Sequence, residues 1–167
     1  MEYISSDTNI WLDFHVISRT SLPFRMNCKY IMFKEALRKE IVSPTELLNE
    51  LKKNGLVGVD ITIDEFFYAD ELAIKYVKLS RYDRIALSIA KHRNIRLLTG
   101  DNPLRKAAQK EGVRVFGTIG LLDELYSKKD IDKKEYVYCL ETLLKHEERR
   151  LPKEELKNRI EKMRIEK

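Results

Sequence analysis

The sequence predicts an α/β protein: a parallel sheet of about five strands covered on both faces by helices, with a two-helix C-terminal extension. Three observations carry this expectation. Short β-prone apolar runs alternate with helix-period segments as far as Tyr126, the connections between them are short, and from Lys128 the composition changes to highly charged helix. A strand that is followed each time by a helix must re-enter the sheet in the same direction, so the sheet is parallel and both its faces are covered.

The elements follow in order. Glu2 to Ser6 reads as the first strand, and Asp7-Thr8-Asn9 opens a helix with Ile10, Trp11, Phe14 and Ile17 as its apolar face. Thr20 to Asn27, which contains Pro23, reads as a loop or broken helix. Lys29 to Phe33 is the second strand, and Lys34 to Ile41 a helix with Leu37 and Ile41 one turn apart. Ser43 as N-cap, Pro44 at the first position and Glu46 at the third open the next helix, which carries Leu47, Leu48 and Leu51 and ends at Gly55. Leu56 to Ile63 is the third strand. Asp64 to Leu79 follows as a long amphipathic helix with Phe66, Phe67, Leu72, Ala73 and Val77 on its apolar side. Then come helix Arg81–His92, strand Ile95–Leu98, helix Pro103–Glu111, strand Val113–Phe116 and helix Ile119–Tyr126. Asp132 caps a helix over Lys133–Lys145, and Leu151-Pro152 separates it from Lys153–Met163. Residues 1–127 are thus expected as one α/β domain and 128–167 as its extension.

Composition narrows the function. A chain of 167 residues, 43% hydrophobic and 35% charged, suits one soluble domain with a real core. The formal net charge of +5 leans towards a polyanionic partner. Cys28 and Cys139 lie far apart without metal-ligand spacing and read as reduced residues. Met1-Glu2-Tyr3 begins no basic leader and no apolar run approaches membrane length, so the expected setting is the cytoplasm, with no membrane.

Four acids are expected to converge at one edge of the sheet: Asp7 after the first strand, Asp101 after Ile95–Leu98, Asp83, and one of Glu35, Glu40, Glu46 or Glu50. Each also has an ordinary structural role. Asp7 can cap the first helix, Ser80 and Asp83 make a capping box, and Asp101 suits the turn after Gly100. Carboxylates in first helical turns feel the positive end of the dipole and stay ionised. Several at one edge repel each other unless a cation sits between them. Oxygen-only donors with no nearby His or Cys suit Mg²⁺ or Mn²⁺.

The segment Ser6-Asp7-Thr8-Asn9-Ile10 resembles the opening motif of PIN domains. Leu79-Ser80-Arg81-Tyr82-Asp83-Arg84-Ile85-Ala86-Leu87 with Ala90, and Leu97-Leu98-Thr99-Gly100-Asp101 with Leu104-Arg105 and Ala108, resemble that family's third- and fourth-acid segments. The run Gly112 to Leu122 resembles its last strand and helix, so the likeness covers residues 3–125 in the right order. The resemblance implies a three-layer α/β/α sandwich and Mg²⁺- or Mn²⁺-dependent endoribonuclease chemistry, as in VapC-type toxins of toxin–antitoxin pairs. It carries Asp7, Asp83 and Asp101 over as catalytic metal ligands. For the second acid Glu40 is chosen, one turn beyond Leu37, with Glu50 the runner-up. Asn9 and Thr99 would orient carboxylates or water, Asn9 being the better choice.

Arg81, Arg84, Arg105 and Lys106 lie close to the acids in sequence and are the candidate RNA-phosphate contacts. Tyr82 reads as a core or rim residue. His15, His92 and His146 are scattered and are not assigned to catalysis. The apolar stripe of the extension (Leu140, Leu143, Leu144, then Leu156 and Ile160) must bury against the domain or a partner, either a second copy in a homodimer or an antitoxin. The competing readings are a catalytically silent PIN-like module that binds RNA or a protein, and a phosphatase- or receiver-like site built on Asp7. The latter usually wants a second acid immediately adjacent, where this chain has Thr8.

Overall fold

A computed structural model describes residues 1–42 and 44–166. Five strands, β1 (Glu2–Ser6), β2 (Cys28–Phe33), β3 (Val57–Val59), β4 (Arg96–Leu98) and β5 (Val115–Phe116), form one sheet in the order β3-β2-β1-β4-β5. Every neighbouring pair is parallel. The helices are α1 (Thr8–Val16), α2 (Lys34–Glu40), α3 (Thr45–Asn54), α4 (Ile63–Lys75), α5 (Arg81–His92), α6 (Asn102–Lys110), α7 (Thr118–Ser127), α8 (Lys133–Lys145) and α9 (Lys153–Ile165). Leu22–Arg25 and Glu147–Arg149 each form a single 3₁₀ turn.

Alternation along the strands sorts the layers. Ile4 of β1, Tyr30 and Met32 of β2 and Leu98 of β4 face one core, which holds Trp11 and Phe14 of α1, Leu47 and Leu51 of α3 and Leu121 and Leu122 of α7. Leu97 and Ile31 face the other way, towards Leu72, Leu87, Ile89 and Leu104 on α4, α5 and α6. Ser5, between two apolar neighbours, also points there and satisfies its hydroxyl by donating to Ala86 O at 2.9 Å. Trp11, Phe24 and Tyr30 interlock with centroids 5.2–5.4 Å apart. The parallel sheet with helices on both faces is the architecture expected.

Several boundaries differ. The third strand is Val57–Val59 rather than Leu56–Ile63, because Thr62 and Glu65 form a capping box that starts α4 at Ile63. That helix ends at Lys75, and residues 76–79 turn back towards α5. The apolar side read for α4 is corrected too: Phe66, Phe67 and Val77 are exposed, while Ala69 and Leu72 are buried. Apolar residues occupy two opposite faces of this helix, and a single-face reading merged them. The last strand shrinks to Val115–Phe116. Ser43, expected to cap α3, lies outside the described residues; Pro44 takes the N-cap position, one residue earlier than its expected place. Gly55 ends the helix with φ 123°, a conformation that glycine tolerates best.

The charged extension is not separate from the core. Leu140, Leu143, Leu156, Ile160 and Met163 are buried in the same cluster as Trp11 and Leu125, with Leu144 packed at its margin. The stripe expected to meet the domain or a partner is spent inside the chain.

Candidate active site

β1 and β4 lie side by side at the centre of the sheet, and the chain leaves β1 towards β2 on the far side. In open α/β sheets a crevice opens outside the strand ends at such a point. Asp7 follows β1 there, its N–H donating to Leu98 O of β4 at 3.0 Å. It caps α1, with Oδ1 accepting from Thr8 N at 2.7 Å. Oδ2 accepts from Thr99 Oγ1 at 3.0 Å, and that hydroxyl oxygen accepts in turn from Asp101 N at 3.1 Å. Thr99, fully buried at the end of β4, therefore ties two of the acids to one fixed oxygen.

The other acids are held by the same local chemistry. Asp101 caps α6 by accepting from Leu104 N at 3.0 Å, with Pro103 in the first turn. Asp83 is the third residue of α5 and closes a capping box, accepting from Ser80 N at 3.0 Å while Asp83 N donates to Ser80 Oγ at 3.2 Å. Glu40 ends α2 and accepts from Thr8 Oγ1 at 2.8 Å, next to Asp7. Capping and placement thus coincide: the hydrogen bonds that start three helices also bring three carboxylates to the same side of the sheet.

The electrostatics show that the acids feel one another. Burial, the negative charge of Asp83 and that of Glu40 push Asp7 from its ordinary value up to about 7, against the hydrogen bonds of Thr99 and Thr8. Asp83 is raised by burial and by Asp101, and Glu40 by burial and by Asp83. No Lys or Arg forms an ion pair with any of the four among the described residues. Arg84 lowers Asp83, as the smallest of its influences. Asp7, Thr8, Glu40 and Tyr82 line a crevice of about 10 Å³, roughly the space one water fills. Oxygen donors and uncompensated negative charge fit a hard divalent cation. The carboxylates do not converge on a common point: no three acids, histidines or cysteines among the described residues stand as a ready ligand group. The fit is one of donor type and charge.

Glu50 is elsewhere, accepting from Thr20 Oγ1 beyond the end of α1. Glu35 pairs with Lys39 and Arg81, and Glu46 is exposed. Of the two orienting residues, Thr99 makes the contacts. Asn9 is exposed, and among the described residues its side chain has no hydrogen-bond partner, while its backbone carbonyl accepts from Arg149. Arg81 is half exposed beside Tyr82, its guanidinium 5.7 Å from the ring centroid. Arg105 lies against Gly117, where an added Cβ would be 2.7 Å from its Nη1 and 3.2 Å from Thr99 O. Lys106 is exposed. Arg84 is committed elsewhere: Nη1 donates to Ala69 O of α4 at 3.1 Å, and Nε is buried without a partner. Two of the histidines are engaged elsewhere: His92 stacks edge-on against Tyr68 and His146 pairs with Glu148.

One cluster was missed by sequence reasoning. Asp13, 4% exposed, accepts from Thr118 Oγ1 at 2.7 Å and from Arg149 Nε at 2.7 Å. Arg149 Nη2 also donates to Asn9 O at 3.1 Å, so the extension straps the first turn of α1, next to Asp7, to the start of α7. Nothing in the spacing of Asp13, Thr118 and Arg149 signals this; only the fold brings them together.

A family model described as a PIN domain matches residues 6–164, which takes in all but the last three residues of the extension. No curated protein and no solved structure matches the chain.

Proposed function

Since the chain belongs to the PIN domain family, whose members are in general nucleases that use divalent metal ions, we propose that it is a Mg²⁺- or Mn²⁺-dependent endoribonuclease. Its setting would be the toxin of a VapBC-type pair, opposed by an antitoxin protein. The observation that carries the reading is Asp7: a buried carboxylate beside Asp83 and Glu40, with no cation paired to any of them among the described residues. Capping α1 does not require so buried a carboxylate to stand beside two others, and a bound cation would offset the cost of their charge.

Asp7, Glu40, Asp83 and Asp101 would hold the ion. When bound, it supplies a Lewis acid that offsets charge on the phosphoryl and leaving oxygens and makes an attacking water more acidic. The chain's own part is positioning. Thr99 and Thr8 fix both oxygens of Asp7, Thr8 also holds Glu40, and Ser80 fixes Asp83. The N-termini of α1, α5 and α6 favour the ionised carboxylates they carry. Arg105, Lys106 and Arg81, which also pairs with Glu35, would meet backbone phosphates, contacts that place RNA without reading its bases. No helix among the described residues is long and apolar enough to cross a membrane.

The test is cleavage of a fluorogenic RNA with Mn²⁺. Cleavage should vanish with chelator and with Asp7→Asn or Asp101→Asn. Cleavage that survives both changes would refute the assignment.

A further inference from the structure

Two of the four acids depend on the first turn of α1. Asp7 divides its oxygens between elements, Oδ1 accepting from Thr8 N of α1 at 2.7 Å and Oδ2 from Thr99 Oγ1 at the end of β4 at 3.0 Å. Glu40 accepts from Thr8 Oγ1 at 2.8 Å. A shift of α1 relative to β4 must therefore lengthen one of the Asp7 bonds and displace the hydroxyl that holds Glu40. Carboxylates that share one ion have to be held within about 0.5 Å of their working positions. The placement of α1 is thus a condition on the site.

We propose that Arg149, supplied by the C-terminal extension, is a positioning residue for the cation site. This rests on the reading of the acids as such a site. The Arg149 side chain, 19% exposed, spans one turn of α1: Nη2 donates to Asn9 O at 3.1 Å and Nε to Asp13 Oδ1 at 2.7 Å. The other oxygen of Asp13 accepts from Thr118 Oγ1 at 2.7 Å, in the first turn of α7. Gly117, just before Thr118, lies so close to the end of β4 that an added Cβ would be 3.2 Å from Thr99 O. The contacts close a ring, from Asp7 to Thr99, from β4 to α7, from Thr118 to Asp13 and back along α1 to Asp7. Arg149 braces that ring on its α1 side. Its ion pair is with Asp13, and among the described residues it pairs with none of the four acids. Its influence on them runs through the backbone of α1, and the extension completes the site without touching the ion.

Three forms of the whole chain separate positioning from general stability: the native protein, Asp13→Asn, and Asp13→Asn combined with Arg149→Met. The single change keeps an oxygen for Thr118 and leaves Arg149 on Asn9 O. The double change removes that brace without stranding a buried charge. Mn²⁺ affinity, read from the free-ion electron paramagnetic resonance signal, should fall less than about twofold in the single variant and about tenfold in the double. In chelator, backbone hydrogen exchange at Asp7 and Thr8 should be several-fold faster in the double variant than in the single one, with Leu87 and Ile89 of α5 unchanged; a general loss of stability would speed both regions. Equal Mn²⁺ affinity in the two variants overturns the positioning role and leaves the cation site standing. A native chain that takes up no Mn²⁺ overturns both. Exchange that rises in α5 as much as at Asp7 and Thr8 makes Arg149 a general prop and overturns the proposal as well.

Discussion

Replacing Asp7 by asparagine should stabilise the ion-free protein while ending its chemistry. Burial and the neighbouring charges of Asp83 and Glu40 lift the Asp7 carboxyl from its ordinary 3.8 to about 7. A rise of that size corresponds to about 4 kcal/mol at most, and about 2–4 kcal/mol after relaxation around the charge. The sign follows from which form the fold prefers. The folded chain favours the protonated carboxyl, so this contribution to stability is complete below about pH 4 and is lost as pH rises towards 7. Asparagine is nearly isosteric, and its side-chain oxygen can keep the bond from Thr8 N. Urea unfolding of both proteins in chelator should therefore show Asp7→Asn more stable by about 2–4 kcal/mol at pH 8, the gap closing near pH 4. An asparagine variant that is less stable at pH 8, or a gap that ignores pH, would refute the reasoning.

Other expectations concern the supports of the site. Arg149→Met should cost about 3–5 kcal/mol in denaturant unfolding, because Asp13 is left charged and buried; adding Asp13→Asn should recover much of it. Gly117→Ala has an extended backbone but must displace Arg105 and press on Thr99 O, so RNA cleavage should show a raised KM, with a stability loss of about 1–3 kcal/mol. Residues 1–127 alone should fail to fold cooperatively by circular dichroism, since Leu140, Leu143 and Leu156 complete the core around Trp11; Leu140→Ala in the whole chain should cost about 2–5 kcal/mol.

What the sequence revealed and what it hid have physical causes. β1, α5 and α8 could be read to the residue, because each has strong local punctuation: Asp7 after β1, Ser80 with Asp83, and Asp132. The alternation of strand and helix was enough for the parallel sheet. Asp7 and Asp101 were legible because capping residues follow β1 and β4, and Asp83 because it forms a capping box with Ser80 at the start of α5. Glu40 was chosen over Glu50 by pattern, and the contact with Thr8 that sets it beside Asp7 could not be seen from sequence. β3 was overdrawn because the apolar run from Leu56 continues through a capping box. The two-faced character of α4 was missed because periodicity reports an apolar face but not which face is covered. Thr99 outweighs Asn9 because its hydroxyl lies between Asp7 and Asp101, a relation set by the pairing of β1 with β4.

Direct Mn²⁺ binding, followed by electron paramagnetic resonance of the purified chain, asks whether the gathered carboxylates are a cation site at all. The account predicts loss of the free-ion signal on titration into the native protein, and no such loss for Asp7→Asn, although that variant should be folded and more stable. Equal binding by both proteins, or by neither, would contradict it.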